Sequence, residues 1–161
     1  MSSKINKDTV AATPSINNKK ARFEYEFLET LEAGIALLGS EVKSLRQGQG
    51  SIAESFIRIR KNGETLLTGS FIAPYEQAGK QNHDPKRDRK LLLHKREIGK
   101  LMAKVQEKGL TIIPVKLYFN KRGIVKLEIA LARGKKLHDK REALRKKDMD
   151  RQVARDMRKY K

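Results

Sequence analysis

The stretch "LTIIPVKLYFNKRGIVKLEIALA", Leu110 to Ala132, restricts the fold more than any other part of the chain. Two apolar-rich runs flank a short polar segment with a glycine. A chain that alternates with period two on both sides of such a turn folds as an antiparallel hairpin. The alternation places Val115, Leu117 and Phe119 inward, opposite Val125, Leu127, Ile129 and Leu131. Pro114 has no amide proton for a central ladder, so it marks an edge or a bulge. A second hairpin is predicted in "SFIRIRKNGETLLTGSF", where Ile57 and Ile59 alternate with Arg58 and Arg60 and Asn62-Gly63 suits a primed turn.

From Ala21 to Leu37 the odd positions are mostly apolar and the even ones mostly polar, a period-two signal broken at Glu29. The segment exceeds an ordinary strand, so "EAG" at Glu32–Gly34 is predicted to bend or turn it into two strands. "SEVKSLRQG" predicts a short helix with Ser40 as N-cap and Gly48 beyond its end. "HKREIGKLMAKVQEKG" predicts another, with Ile98, Leu101, Met102 and Val105 on one face and Gly109 at the exit. The sum is a mainly β chain, a small antiparallel six-stranded barrel of the oligonucleotide-binding (OB) type with two or three flanking helices.

Length and charge frame the rest. The 161 residues suffice for one core, and without cysteine there are no disulfides or thiolate metal sites. No leader-like or membrane-spanning run is present in the sequence, so a cytoplasmic protein without membrane contact is the expectation. The net charge of +18 points to a polyanionic partner. It divides into +3 over residues 1–20, +8 over 21–133 and +7 over 134–161. The ends have too little apolar surface to offset the entropy of ordering. Residues 1–20 and the tail 134–161 are therefore expected to be disordered when free, around a domain at 21–133.

Within the domain the positive charge is concentrated between Lys80 and Lys104, a stretch that includes Lys86, Arg87, Arg89, Lys90 and His94. A solvated loop and wet helix face would have the same composition. Phe23, Tyr25, Phe27 and Phe119 fall on inward positions and Tyr118 looks outward, which leaves few rings for stacking single-stranded bases. A structured RNA held through shape and phosphates fits better. Glu24, Glu26 and Glu32 either solubilise the surface or accept hydrogen bonds from ribose hydroxyls and guanine edges. In the tail, Met149, Val153, Met157 and Tyr160 would form one thin apolar stripe on a helix. A membrane-surface helix would share that pattern but carry larger apolar residues.

No catalytic constellation is legible. His83, His94 and His138 do not share a ligand spacing, and for the two that precede or follow basic runs a solvent-exposed side chain is the expectation. Asp148 and Asp150 would point about 200° apart on a helix. Phosphate-binding glycine loops and nucleophile elbows are absent from the sequence. No enzyme activity, cofactor or metal is expected.

The blocks "NNKKARFEYEFLETLEAGIALLGSEVKSLRQG", "RDRKLLLHKREI" and "LTIIPVKLYFNKRGIVKLEIALARGKKLHDKRE", with the basic tail, resemble the SsrA-binding protein family, also called small protein B. The resemblance runs from about Asn17 to the C-terminus. It implies a factor of bacterial trans-translation whose barrel holds the transfer-RNA-like domain of transfer-messenger RNA and accompanies it to stalled ribosomes. By the same resemblance Glu32, Leu92 and Lys126 contact that RNA, a core role being the alternative for Leu92. The tail enters the empty messenger channel near the small-subunit decoding centre and becomes helical there. Lys135, Lys136, Asp139, Lys140, Arg141, Arg145, Lys146, Lys147, Met149 and Arg151 are the tail residues so implicated. Elongation factor Tu would be met indirectly through the aminoacylated RNA, and the protein would act as a monomer. The competing expectations are a general rRNA-binding or ribosomal structural protein and, with less support, a nuclease using Asp148 or Asp150.

Overall fold

The computed structural model describes residues 13–107 and 109–159. The hairpin predicted first is its centre: strands β8 (Leu110–Phe119) and β9 (Val125–Gly134) pair antiparallel, with Leu117 opposite Leu127 and Phe119 opposite Val125. Asn120 makes the turn. Its side-chain oxygen accepts from the amides of Arg122 at 3.0 Å and Ile124 at 2.9 Å, and Gly123 takes the left-handed conformation that closes it.

Strand β2 (Tyr25–Ile35) lies along β9 as one eleven-residue strand. The turn predicted at "EAG" does not occur. Instead a bulge at Leu28, between the Phe27 and Glu29 pairings, reverses which face its side chains take. A second bulge, between the Pro114 and Lys116 pairings, does the same in β8. Side chains therefore pack on both faces of this end of the sheet. Leu31, Ala33, Ile112, Leu117, Leu127, Ile129 and Leu131 join the main core. Phe27, Ile113, Val115, Ala130 and Ala132 form a second cluster with Ala21. Val115 thus faces away from the core it was expected to enter. Glu29, where the period broke, reaches Lys104 with its Oε2 at 2.6 Å from Nζ.

Ala21 belongs to helix α1 (Lys19–Glu24), not to a strand. The small side chains of Ala130 and Ala132 leave room for the cluster that Ala21 joins. Order begins before the boundary expected at residue 21. Strand β1 (Ile16–Asn17) pairs with β8, and Asn18 is buried. The Asn18 amide donates to the Val115 carbonyl at 2.8 Å, its side-chain oxygen accepts from Ala21 N at 3.1 Å and its Nδ2 donates to Pro114 O at 2.9 Å. One polar residue thereby caps α1 and satisfies the bulged backbone, a role hydropathy does not signal. The expectation for residues 1–12 lies outside the described residues.

Helix α2 (Gly39–Arg46) follows β2. Its first turn is closed by the Glu41 carboxylate, which accepts from Leu38 N at 2.8 Å, and Ser40 is not the cap. Gly48 follows its end with positive φ, as expected. Strands β4 (Phe56–Ile59) and β5 (Thr65–Thr68) form the second hairpin. Its turn is wider than a primed two-residue turn. Gly63 alone takes positive φ while Asn62 Oδ1 accepts from Glu64 N at 3.0 Å. Short strands β3 (Gly50–Ser51) and β6 (Phe71–Ile72) pair separately. Strand β7 (Arg89–Leu92) connects β5 to β2, and helix α3 (Lys95–Val105) buries Leu101.

The main sheet runs β1-β8-β9-β2-β7-β5-β4, so it has seven antiparallel strands where six were expected. Strand β4 lies close to β8, but no ladder between them closes the sheet among the described residues. Helix α4 (Leu137–Lys159) is continuous over 23 residues and buries none of them. It covers most of the tail for which disorder when free and a helix on the ribosome are the expectations. The segment has no Pro or internal Gly, carries Asp139 in its first turn and ends with Arg158 and Lys159, all of which favour a helix. Tyr160 of the expected stripe lies outside the described residues. No helix among the described residues is long and apolar enough to cross a membrane.

Candidate nucleic-acid interface

The β2–β9 register sets Glu32 opposite Glu128 and Gly34 opposite Lys126, while β7 sets Leu92 opposite Gly34. Three residues distant in sequence thus meet on one outward face. With Leu93, His94 and Glu97 they line a shallow hollow of about 460 Å³. Leu92 is 55% exposed at its rim. Gly34 makes this possible, because a Cβ there would lie 3.1 Å from Leu92 Cβ. His94 precedes α3, and its amide donates to Glu97 Oε2 at 3.0 Å.

The Glu32 carboxylate is held from two sides. Tyr118 on β8 donates its hydroxyl to Oε2, and Lys126 Nζ stands 4.0 Å from Oε1. Partial burial, then the Glu32 hydrogen bond and charge, push the Tyr118 hydroxyl up to about 12, so it remains a donor at neutral pH. Lys116 Nζ lies 5.6 Å from the Tyr118 ring centroid. The hollow thus offers a fixed acceptor, a cation and an exposed apolar edge. Those groups suit ribose hydroxyls or a base edge, a phosphate and a nucleoside face respectively.

Two of the basic residues predicted for this surface are not on it. Arg89 is fully buried and donates through Nε to Glu41 Oε1 at 3.0 Å, through Nη1 to Ser70 Oγ at 2.8 Å and through Nη2 to Pro85 O at 3.1 Å. Arg87 grips the same carboxylate, Nε to Oε1 at 2.8 Å and Nη2 to Oε2 at 2.7 Å. Burial pushes Glu41 up, but the Arg87 hydrogen bonds, the Leu38 amide and the Arg89 charge outweigh it, so its carboxyl lies below the usual range. This triad ties α2 to β7 and the loop before it. Lys86 and Lys90 remain exposed.

His83 is buried. Its Nε2 lies 3.0 Å from Ile72 O and its Nδ1 2.9 Å from Ser40 Oγ. A carbonyl can only accept, so Nε2 carries the proton. The implicated tail residues are separate from the hollow. Lys135 Nζ donates to Arg22 O at 3.1 Å, and Lys136 leads into α4. Asp139, Lys140, Arg141, Arg145, Lys146, Lys147, Met149 and Arg151 all lie on α4 with no buried side chain among them. His138, Asp139 and Glu142 cluster in its first turns, all three exposed. Tyr118 is the contributor whose role sequence reasoning missed; its outward register was visible, its reach across β9 to Glu32 was not.

Comparison with known proteins gives the family. The SmpB protein family profile matches residues 15–159. SsrA-binding proteins of Chlorobaculum tepidum and Oleidesulfovibrio alaskensis are 56% and 59% identical, over 86% and 87% of this chain and 88% and 89% of theirs. A chain of the solved structure "tmRNA-SmpB: a journey to the center of the bacterial ribosome" superposes with a TM-score of 0.67 at 52% identity. It covers 82% of this chain and 95% of that one. With the family profile spanning nearly all of its described length, the chain belongs to the SmpB protein family.

Proposed function

We propose that this protein binds the transfer-RNA-like domain of transfer-messenger RNA and takes part with it in trans-translation on stalled ribosomes. The convergence of Glu32, Leu92 and Lys126 on one outward hollow carries the reading, and the relatives' names and the tmRNA-SmpB neighbour support it. Glu32 accepts from the RNA, Lys126 meets its backbone and Leu92 packs on a nucleoside. Lys86, Lys90 and His94 add positive or polar surface at the margin. The curled sheet serves as a barrel of the OB type, and the folded part works as one RNA-binding domain.

Helix α4 is the part that enters the empty messenger channel near the decoding centre, where its basic side chains meet ribosomal RNA. The protein works as a cytoplasmic monomer without membrane contact, and it meets elongation factor Tu only through the aminoacylated RNA. The test is binding to a transfer-messenger RNA acceptor and D-arm fragment at about 150 mM salt, where Coulombic screening is physiological, against excess unrelated RNA duplex. Affinity that survives the competitor supports the reading. Affinity erased by it leaves a general cationic RNA binder.

A further inference from the structure

A second and larger groove adjoins the hollow and shares Leu92 and Leu93 with it. It measures about 770 Å³ and lies between the β4–β5 turn, β7 and α3. Lys61, Lys90 and Lys95 stand along it, while Leu93, Ile98 and Met102 give it an apolar lining. Among the described residues none of these three lysines makes an ion pair. The acid on its wall, Glu64, is already neutralised by Arg60 Nη1 at 2.8 Å. The groove is therefore positive at its edges and apolar within.

The geometry points to this groove as a second seat for the same RNA: a strand leaving the Glu32–Leu92–Lys126 hollow crosses Leu92, lays one nucleoside on Ile98 and Met102 and sets its phosphates on Lys61 and Lys95. The inference rests on the reading of the hollow given above. Charge complementarity selects the occupant, because unpaired lysines around an apolar lining match the alternation of phosphate and base face. Continuity selects the source, because Leu92 and Leu93 belong to both walls.

Gly99 on α3 supplies the test. It lines the groove, and a Cβ built there meets nothing within 4 Å. Gly99→Trp therefore fills the groove without changing charge, and replacing a helical glycine does not weaken α3. Binding of the full chain to the transfer-RNA-like fragment is measured over a salt series for wild type, Gly99→Trp, Gly99→Ala and Lys61→Ala/Lys95→Ala. The expected result is about tenfold weaker binding for Gly99→Trp, one displaced nucleoside contact of about 1.4 kcal/mol, with Gly99→Ala unchanged. The double lysine variant should lose about 1.8 from the magnitude of the log–log salt slope, two phosphate contacts' worth.

Wild-type affinity and slope in both Gly99→Trp and the lysine variant overturn the inference, even if they then fail on ribosomes, since the groove would serve a different RNA. A wild type that cannot hold the fragment against duplex overturns the parent reading as well. The two failures are read from different isotherms.

Discussion

Replacing Arg89 by Met separates a structural arginine from an RNA-binding one. Methionine keeps most of the stem and removes the guanidinium. The Ser70 hydroxyl and the carbonyls of Pro85 and Arg87 lose their donor, and Glu41 keeps Arg87 and the Leu38 amide. Breaking one side of a buried ion pair typically costs about 3–5 kcal/mol, and the surviving bidentate Arg87 contact argues for the lower end. For a domain of this size each kcal/mol moves Tm by about 4 °C, so the expected fall is about 12 °C. Thermal unfolding followed by circular dichroism gives that number, and RNA affinity measured well below the new Tm should stay within about threefold of wild type, under 1 kcal/mol. A Tm within about 3 °C of wild type, less than 1 kcal/mol, together with lost RNA affinity would refute the argument and return Arg89 to the RNA surface.

Leu92→Asp should weaken binding of the transfer-RNA-like fragment at least tenfold with Tm unchanged, because Leu92 is exposed and the new charge repels phosphate; a matching fall in Tm would make it a core residue. Tyr118→Phe removes the hydroxyl that fixes Glu32 and should cost about 1 kcal/mol of RNA affinity, a normal hydrogen bond's worth; a double variant with Glu32→Gln that adds the full cost of each change would show that the two do not act together. Acid should destabilise the fold through Glu41: its folded pKa lies below its unfolded value, so its contribution is full above the unfolded value and disappears as pH falls through the folded one. Tm measured from pH 6 to pH 3, the carboxylate range, should therefore fall, and Glu41→Gln should start lower and fall less steeply. Removing residues after Lys136 should leave Tm and fragment affinity near wild type, since α4 buries nothing, and should abolish peptide tagging in a reconstituted system; lost fragment affinity would contradict that division.

The two hairpins were legible because alternation over many residues is a redundant signal that one exception cannot erase. The bulges were only half legible. Pro114 announced one, whereas nothing about Leu28 told which way the faces would switch. Strand β7 escaped because its inward residues are Arg89 and Leu91, and a buried arginine reads as a surface residue until Glu41, forty-eight positions away, is seen beside it. The ordered start at Ile16 escaped for a similar reason, since Asn18 is buried through hydrogen bonds rather than hydropathy. In the site, Glu32, Leu92 and Lys126 came from resemblance, and their convergence follows from cross-strand register that no local pattern encodes.

Strand β7 shows how closely fold and recognition are interleaved. Arg89 and Leu91 point in and Lys90 and Leu92 point out, so each step of about 3.4 Å along the strand alternates between holding the domain and facing outward, where the proposed RNA surface lies. The same composition serves both purposes because burial, and not charge, decides which. Helix α4 obeys the opposite rule. It touches the domain mainly at α1 and buries no residue there, so its stability rests largely on its own hydrogen bonds and dipole against the repulsion of its lysines and arginines. A polyanion that neutralises those charges stabilises the helix by the free energy of its own binding. The domain therefore supplies a surface fixed before RNA arrives, and the tail supplies about 34 Å of helix whose persistence depends on what surrounds it.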